Sequence, residues 1–375
     1  MRILWTLLFS ILMITCHTTH FLSPAKREGP VDPMVTEQTK ALFYNLKQVA
    51  DTKILFGHED ATAYGIGWKS QPHRSDIKSV CGSFPAVYGW DLGDIELGYP
   101  ENLDGVNFDE MRKLIQEAYA RGGIITISWH QDNPVSGGDS WDSANKAVEH
   151  VLPGGSHHAL YLQRLDRAAE FLNSLRDPSN EPIPVIFRPY HEHTGGWFWW
   201  GKNSCTRKEF IQLWQMTVDY LKEEKQLHNL LYAYSPNATS SRKVYLERYP
   251  GNDYVDVIGL DCYNAAKNLS NPEPFLEKLR MIAAIAKEFN KIPALTETGS
   301  NNIQPSNWFT KYLLDPIKSD PEASRIAYIL VWRNWKKDHC FAPYPGHPSE
   351  SDFVKFYSDP VTMFESDLPD MYQLP

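Results

Sequence analysis

Two glutamates carry the clearest chemical signal in the chain. Glu192 lies within FRPYHEHTGGWFWWG, residues Phe187 to Gly201, where Arg188, His191 and His193 crowd around it and Gly195-Gly196 lead into Trp197, Phe198, Trp199 and Trp200. Glu297 stands between Thr296 and Thr298, after the apolar run Ile292 to Leu295. Cleavage of a glycosidic bond needs two carboxyl groups. One is protonated and gives its proton to the leaving oxygen. The other is ionised and attacks the anomeric carbon or activates water. The local sequence suggests which is which. Histidines and aromatic rings around Glu192 make surroundings of low polarity that raise a carboxyl pKa and suit an acid. Threonine hydroxyls at Glu297, with Arg188 or Arg333 and the phenol of Tyr263, would keep a carboxylate ionised and aimed. The competing readings are structural: a buried His/Glu/Arg network under aromatics for the first, a strand-end salt bridge for the second.

Further polar and aromatic residues fall at equivalent places, just after short apolar runs: His58, Trp90, Asp91, Asp94, Trp129, His130, Asp261, Tyr263, Trp332 and Arg333. Trp332 reads as the floor of a sugar subsite, and Trp197, Trp199 and Trp200 as stacking surfaces beside it; Phe198 reads as packing. His130 and His191 suit hydrogen bonds to sugar hydroxyls or to a carboxylate. Trp129, Asp261 and Arg333 complete the set of expected substrate-binding residues. No G-x-S-x-G elbow is present, and Cys262 has no neighbouring histidine. His130, His191 and Asp261, or the pair His157-His158, offer metal-type side chains, but no ligand spacing supports them. Neither a metal nor a cofactor is expected.

Eight apolar runs precede these residues: Lys53–Phe56, Phe84–Tyr88, Ile124–Ser128, Pro184–Phe187, Leu230–Tyr234, Val255–Leu260, Ile292–Leu295 and Ile326–Val331. Most of the intervals hold amphipathic helical patterns, such as Met111, Leu114, Ile115 and Ala118. Continuously apolar strands alternating with helices imply a parallel sheet covered on both faces. Eight of them imply an α/β fold of the (β/α)₈ TIM-barrel type, with its site at the C-terminal strand ends. A doubly wound sheet is the alternative, but no G-x-G-x-x-G follows the first strand.

Aromatic residues make up 13% of the chain, including 12 Trp and 19 Tyr, a surplus that stacking on sugars would explain. A net charge of -9 argues against a nucleic-acid partner. Residues 1–16 read as an export signal: Arg2 precedes an apolar stretch, Ile3 to Ile14, too short to span a bilayer. Cys16 then poses two outcomes, lipid attachment or simple cleavage. Residues 17–35 read as a tether and residues 36–375 as one catalytic domain, expected to be a monomer. Cys81, Cys205, Cys262 and Cys340 permit two disulfides or buried thiols.

These residues together resemble a known family. The run from Phe187 to Glu192, followed by Gly195 to Gly201, is similar to the acid/base motif of glycoside hydrolase family 26, a retaining family of β-mannanases on (β/α)₈ barrels. Phe56-Gly57-His58, Ser128-Trp129-His130, Asp261-Cys262-Tyr263, Glu297 and Trp332-Arg333 fit the same pattern. The resemblance implies that Glu192 is the acid/base and Glu297 the nucleophile. It implies that His191 contacts the nucleophile side, that Tyr263 hydrogen-bonds Glu297, and that His130, Trp332 and Arg333 line the non-reducing side of the cleaved bond. The expected activity is retaining endo-cleavage of β-1,4-mannosidic bonds in mannan, galactomannan or glucomannan. An exo-acting, mannobiose-releasing enzyme is the first alternative, motivated by the long Asn133–His158 loop. A β-1,3-1,4-glucanase and a non-catalytic glycan-binding barrel are the others.

Overall fold

The computed structural model describes residues 28–374 apart from residue 268. The expected export signal, Cys16 and most of the tether lie outside the described residues. Eight parallel strands close on themselves: β1 Ile54–Glu59, β2 Val87–Asp91, β3 Ile124–Ser128, β4 Val185–Arg188, β5 Leu230–Tyr234, β6 Val257–Asp261, β7 Ile292–Thr298 and β8 Tyr328–Val331. Each pairs with its sequence neighbour, and β8 pairs with β1 to complete the barrel. This is the (β/α)₈ architecture expected from the alternation.

Every residue of all eight strands is buried. The outward faces meet helices. Phe56 of β1 packs its ring against Phe353 and Phe356 of α6 in the order used here: α1 Glu37–Val49, α2 Phe108–Ala120, α3 His158–Ser174, α4 Arg207–Asp219, α5 Glu273–Phe289 and α6 Glu350–Tyr357. The inward faces fill the barrel. At its N-terminal end Leu55, Val87, Ile124, Leu231, Val257, Ile292 and Tyr328 form one cluster with Leu42, Phe43 and Leu46 of α1. The first helix therefore plugs the bottom of the barrel with the face its helical spacing predicts.

The strands run further than their apolar cores. β1 includes Gly57, His58 and Glu59, and β2 includes Gly89, Trp90 and Asp91. Residues that read as loop chemistry are thus the last rungs of strands, held by the ladder itself. Because side chains alternate, Glu59, Asp91, Ser128, Arg188 and Asp261 join one inward-facing polar layer at the C-terminal end. After β4 the chain passes through the aromatic loop and enters α4 through a capping box: the Thr206 hydroxyl accepts from the Glu209 amide and the Glu209 carboxylate from the Thr206 amide. Such a cap contributes about 1 kcal/mol and fixes where the loop ends. Among the described residues no disulfide joins Cys81, Cys205, Cys262 or Cys340, and no helix is long and apolar enough to cross a membrane.

Candidate active site

Arg188, the last residue of β4, organises the polar layer. Its Nη1 donates to Asp261 Oδ2 at 2.8 Å and its Nη2 to Glu297 Oε2 at 2.8 Å. Burial works against its charge, but the facing Asp261 and Glu297 outweigh that and raise its proton affinity. Asp261 also accepts from Thr296 Oγ1 at 2.7 Å and Ser235 Oγ at 3.2 Å. The other oxygen of Glu297, Oε1, accepts from the Tyr263 hydroxyl at 2.7 Å. Glu297 therefore has both oxygens engaged by donors, which fixes its direction.

A backbone irregularity puts Glu297 there. Between Gly259 and Asp261 on β6, partnered with Ala294 and Glu297, β7 takes one residue more than its neighbour. The same extra residue shows against β8, where Ile329 faces Leu295 and Val331 faces Thr298. The bulge turns Thr296 toward Asp261 and lets Glu297 meet Arg188.

Glu192 reaches the site by a different device. The chain leaves β4 with Tyr190 at φ 50° and Glu192 at φ 53°, both left-handed. Its amide donates to Ser235 O at 2.8 Å, which ties the turn to the end of β5. Left-handed non-glycine residues store about 1 kcal/mol or more of strain each and persist where the surroundings over-determine them. The Glu192 carboxyl accepts from Trp197 Nε1 at 2.9 Å. Burial first, and then the charge of Glu297, raises its pKa to about 7. The two carboxyl groups thus meet different surroundings: Arg188 and Tyr263 bond both oxygens of Glu297, while burial and the neighbouring Glu297 favour the proton on Glu192.

The sign of this shift predicts a pH dependence. Glu192 is a competent acid only while protonated, so activity is expected to fall as pH rises through about 7. The Trp197 N–H favours the ionised form and lowers that pKa. Trp197→Phe should therefore move the alkaline limb of kcat/KM to higher pH. A limb that stays in place, or moves down, would show that Trp197 does not set the acidity of Glu192.

His130 and His191 form the adjoining wall. Asp91 accepts four hydrogen bonds, from Gly93 N, His130 N, Ser128 Oγ and His130 Nδ1, at 2.7, 3.1, 2.6 and 2.8 Å. Burial opposes the imidazolium of His130, but Asp91 outweighs it and raises its pKa. Burial drives His191 well below its usual range, so that ring is neutral. His130 Nε2 then donates to His191 Nε2 at 3.0 Å. The resemblance puts His191 on the nucleophile side of the site; its hydrogen bond goes to His130. Trp332 stands edge-on to His130, 5.9 Å between ring centres. Arg333 pairs with Asp104 at 2.7 Å and donates to Tyr64 Oη at 3.2 Å.

Three of the expected substrate-binding tryptophans are not open. Trp199 is fully buried and its indole donates to Gln131 O at 2.9 Å. Trp129 is fully buried and its indole donates to Glu96 Oε2 at 2.9 Å. Trp200 is also fully buried, donating to His191 O at 2.8 Å and stacked under Phe198 with ring centres 4.5 Å apart. All three position the wall instead of offering a face to a sugar. The exposed rings include Trp197 at 40% and Trp141 at 50%. Trp141, from the long loop after β3, stacks on His130 at 5.4 Å and was not singled out by its sequence surroundings. Asp104 and Tyr64 were missed as well, because Asp104 lies in a turn and Tyr64 in a two-residue hairpin strand, both away from the ends of the barrel strands. Among the described residues no group of three His, Cys, Asp or Glu is arranged to hold a metal.

Tyr263→Phe tests the nucleophile's support. It removes one of the two Glu297 partners and is expected to lower kcat by about 10- to 100-fold, with little change in melting temperature. An unchanged kcat would mean that Arg188 alone positions Glu297.

Comparison with known proteins agrees with this fold. The family model of glycosyl hydrolase family 26 matches residues 31–339. A solved β-mannanase of this family from Bacteroides ovatus is 46% identical, with a TM-score of 0.85 over 90% of this chain and 98% of that one. A modular endo-β-1,4-mannanase from Cellulomonas fimi is 38% identical, with a TM-score of 0.86 over 92% of this chain and 79% of that one. A mannan endo-1,4-β-mannosidase from Bifidobacterium adolescentis is 32% identical over 346 residues. That match takes in 87% of this chain but 34% of the relative, so the chain spans about a third of that protein's length. Eight parallel strands, a glutamate beyond β4, a second on β7 and a family match over most of the chain converge: the chain belongs to glycosyl hydrolase family 26.

Proposed function

We propose that this protein is a retaining endo-β-1,4-mannanase. The observation that carries the reading is the opposite treatment of the two glutamates: Glu297 is held by Arg188 and Tyr263, while Glu192 sits in surroundings that raise its pKa to about 7. Glu297 attacks the anomeric carbon while Glu192 protonates the departing oxygen, giving a covalent glycosyl-enzyme. Glu192, now ionised, takes a proton from water as that water attacks the same carbon and frees Glu297. His130, Trp332 and Arg333 flank this pair and suit hydroxyl and ring recognition of the bound sugar. The mannan preference rests on the relatives, whose names specify β-mannanase and mannan endo-1,4-β-mannosidase activity.

Hydrolysis of mannan, galactomannan, β-glucan and xylan side by side tests the substrate. Mannohexaose digests test the mode of attack: mixed product lengths at early times are expected, and mannobiose alone from the start would replace endo with exo action. Proton NMR of the first-formed product tests retention, for which the β-anomer must appear before mutarotation. The same reading takes the protein out of the cytoplasm through residues 1–16. The mass of the mature N-terminus separates lipid attachment at Cys16 from cleavage.

A further inference from the structure

Glu59 is a buried carboxyl that the reaction above does not use. It is the last residue of β1 and points into the polar layer, where Gly89 on β2 makes the space: a Cβ at that position would collide with the Glu59 carboxyl. The carboxyls of the layer are treated very differently. Asp91 accepts four hydrogen bonds, Asp261 is met by Arg188, Ser235 and Thr296, and Glu297 by Arg188 and Tyr263. Glu59 Oε1 is buried with no hydrogen-bond partner. A carboxyl oxygen buried without a donor costs more when the group is ionised than when it is protonated.

The charges around it point the same way. Asp60 from the end of β1, Asp91 from β2 and Glu297 from β7 all raise its proton affinity, and burial pushes Asp60 itself up to about 8. Arg188 from β4 acts in the opposite sense, and both its Nη atoms are already committed to Asp261 and Glu297. Beside Gly89, β8 contributes the apolar Leu330. Burial, then Asp60 and Asp91, push the proton affinity of Glu59 well above the usual carboxyl range, with Arg188 opposing.

We propose that Glu59 is a positioning residue of the active site: a neutral carboxylic acid that fills its share of the polar layer and leaves the Arg188 guanidinium undivided between Asp261 and the nucleophile Glu297. An ionised Glu59 would compete for Arg188 and place a second negative charge near Glu297. A void at the same place would let Arg188 move off the nucleophile. The neutral acid does neither.

The kinetic part of the test rests on the proposed hydrolase reading. Glu59→Ala is expected to lower kcat on mannohexaose at least about ten-fold with KM changed less than about two-fold. Glu59→Gln, a neutral isostere, should restore kcat to within about three-fold of the native enzyme. A Glu59→Gln enzyme as impaired as Glu59→Ala, or a Glu59→Ala enzyme as active as the native one, overturns the proposal. Should Glu59→Ala fail to fold, the infrared difference between the native protein and Glu59→Gln at neutral pH decides. The stretch of a protonated carboxyl is expected, and a carboxylate signal in its place refutes the assignment. The infrared measurement needs no turnover, so a protein inactive on mannan would fail the hydrolase reading while still reporting the state of Glu59.

Discussion

Glu297→Ala is expected to lower kcat on mannan by at least about 10⁴-fold, since loss of a covalent nucleophile leaves only binding and electrostatic contributions to turnover. The fold should survive. Arg188 keeps its hydrogen bond to Asp261 at 2.8 Å, so no buried cation is stranded, and Tyr263 loses one acceptor at a partly exposed position. The melting temperature is therefore expected to stay within a few degrees of the native value. The substitution has a second readout. The charge of Glu297 helps raise the pKa of Glu192, so titration of Glu192 in the variant, followed by NMR, should move to lower pH. An active Glu297→Ala enzyme with its fold intact would remove Glu297 from the mechanism. A Glu192 pKa that does not fall would mean the two carboxyls do not share one site.

Glu192→Ala should be nearly as damaging on polysaccharide but fail differently. Without the acid, a sugar leaving group departs poorly, and kcat is expected to drop by about 10²- to 10⁴-fold. A substrate whose leaving group needs no proton, such as a dinitrophenyl β-mannobioside, should still form the glycosyl-enzyme at close to the native rate. Hydrolysis of that intermediate needs Glu192 as base, so a burst followed by slow turnover is expected, and added azide should accelerate the slow phase by attacking in place of water. Equal losses on both substrates and no effect of azide would contradict the acid/base role. Folding is at less risk here than at Glu297. The Glu192 backbone holds its turn through the Ser235 carbonyl at 2.8 Å, and the side chain's partner is the exposed Trp197.

The eight strands were legible because their apolar runs are short, separate and spaced by helical patterns, a combination with few other solutions. The two glutamates were legible for a related reason. Strand-end position in a parallel barrel dictates which face of the molecule a residue reaches, so Glu192 after β4 and Glu297 on β7 had to share one end. Tyr263 and Arg188 followed from the same rule, and the structure joins both to Glu297.

Other features depended on packing. Every barrel strand is buried along its whole length, so no polar and apolar alternation marks the inward face. Sequence alone could not say whether Trp129 or His130 turns toward the substrate, nor that Glu59 joins the layer while His58 does not. In the aromatic run after Glu192, neighbouring tryptophans share composition and differ only in where the loop folds: Trp197 stays 40% exposed while Trp200 lies beneath Phe198. The bulge on β7 that presents Glu297 leaves no mark in the residues Thr296-Glu297-Thr298, because it is a mismatch of register between three strands. What the chain determined by itself was the barrel and the pair of carboxyls at its mouth, through local periodicity and strand-end position. The tertiary structure alone decided which rings are open, which carboxyl has donors and which has none, because those are contacts between segments far apart in the sequence.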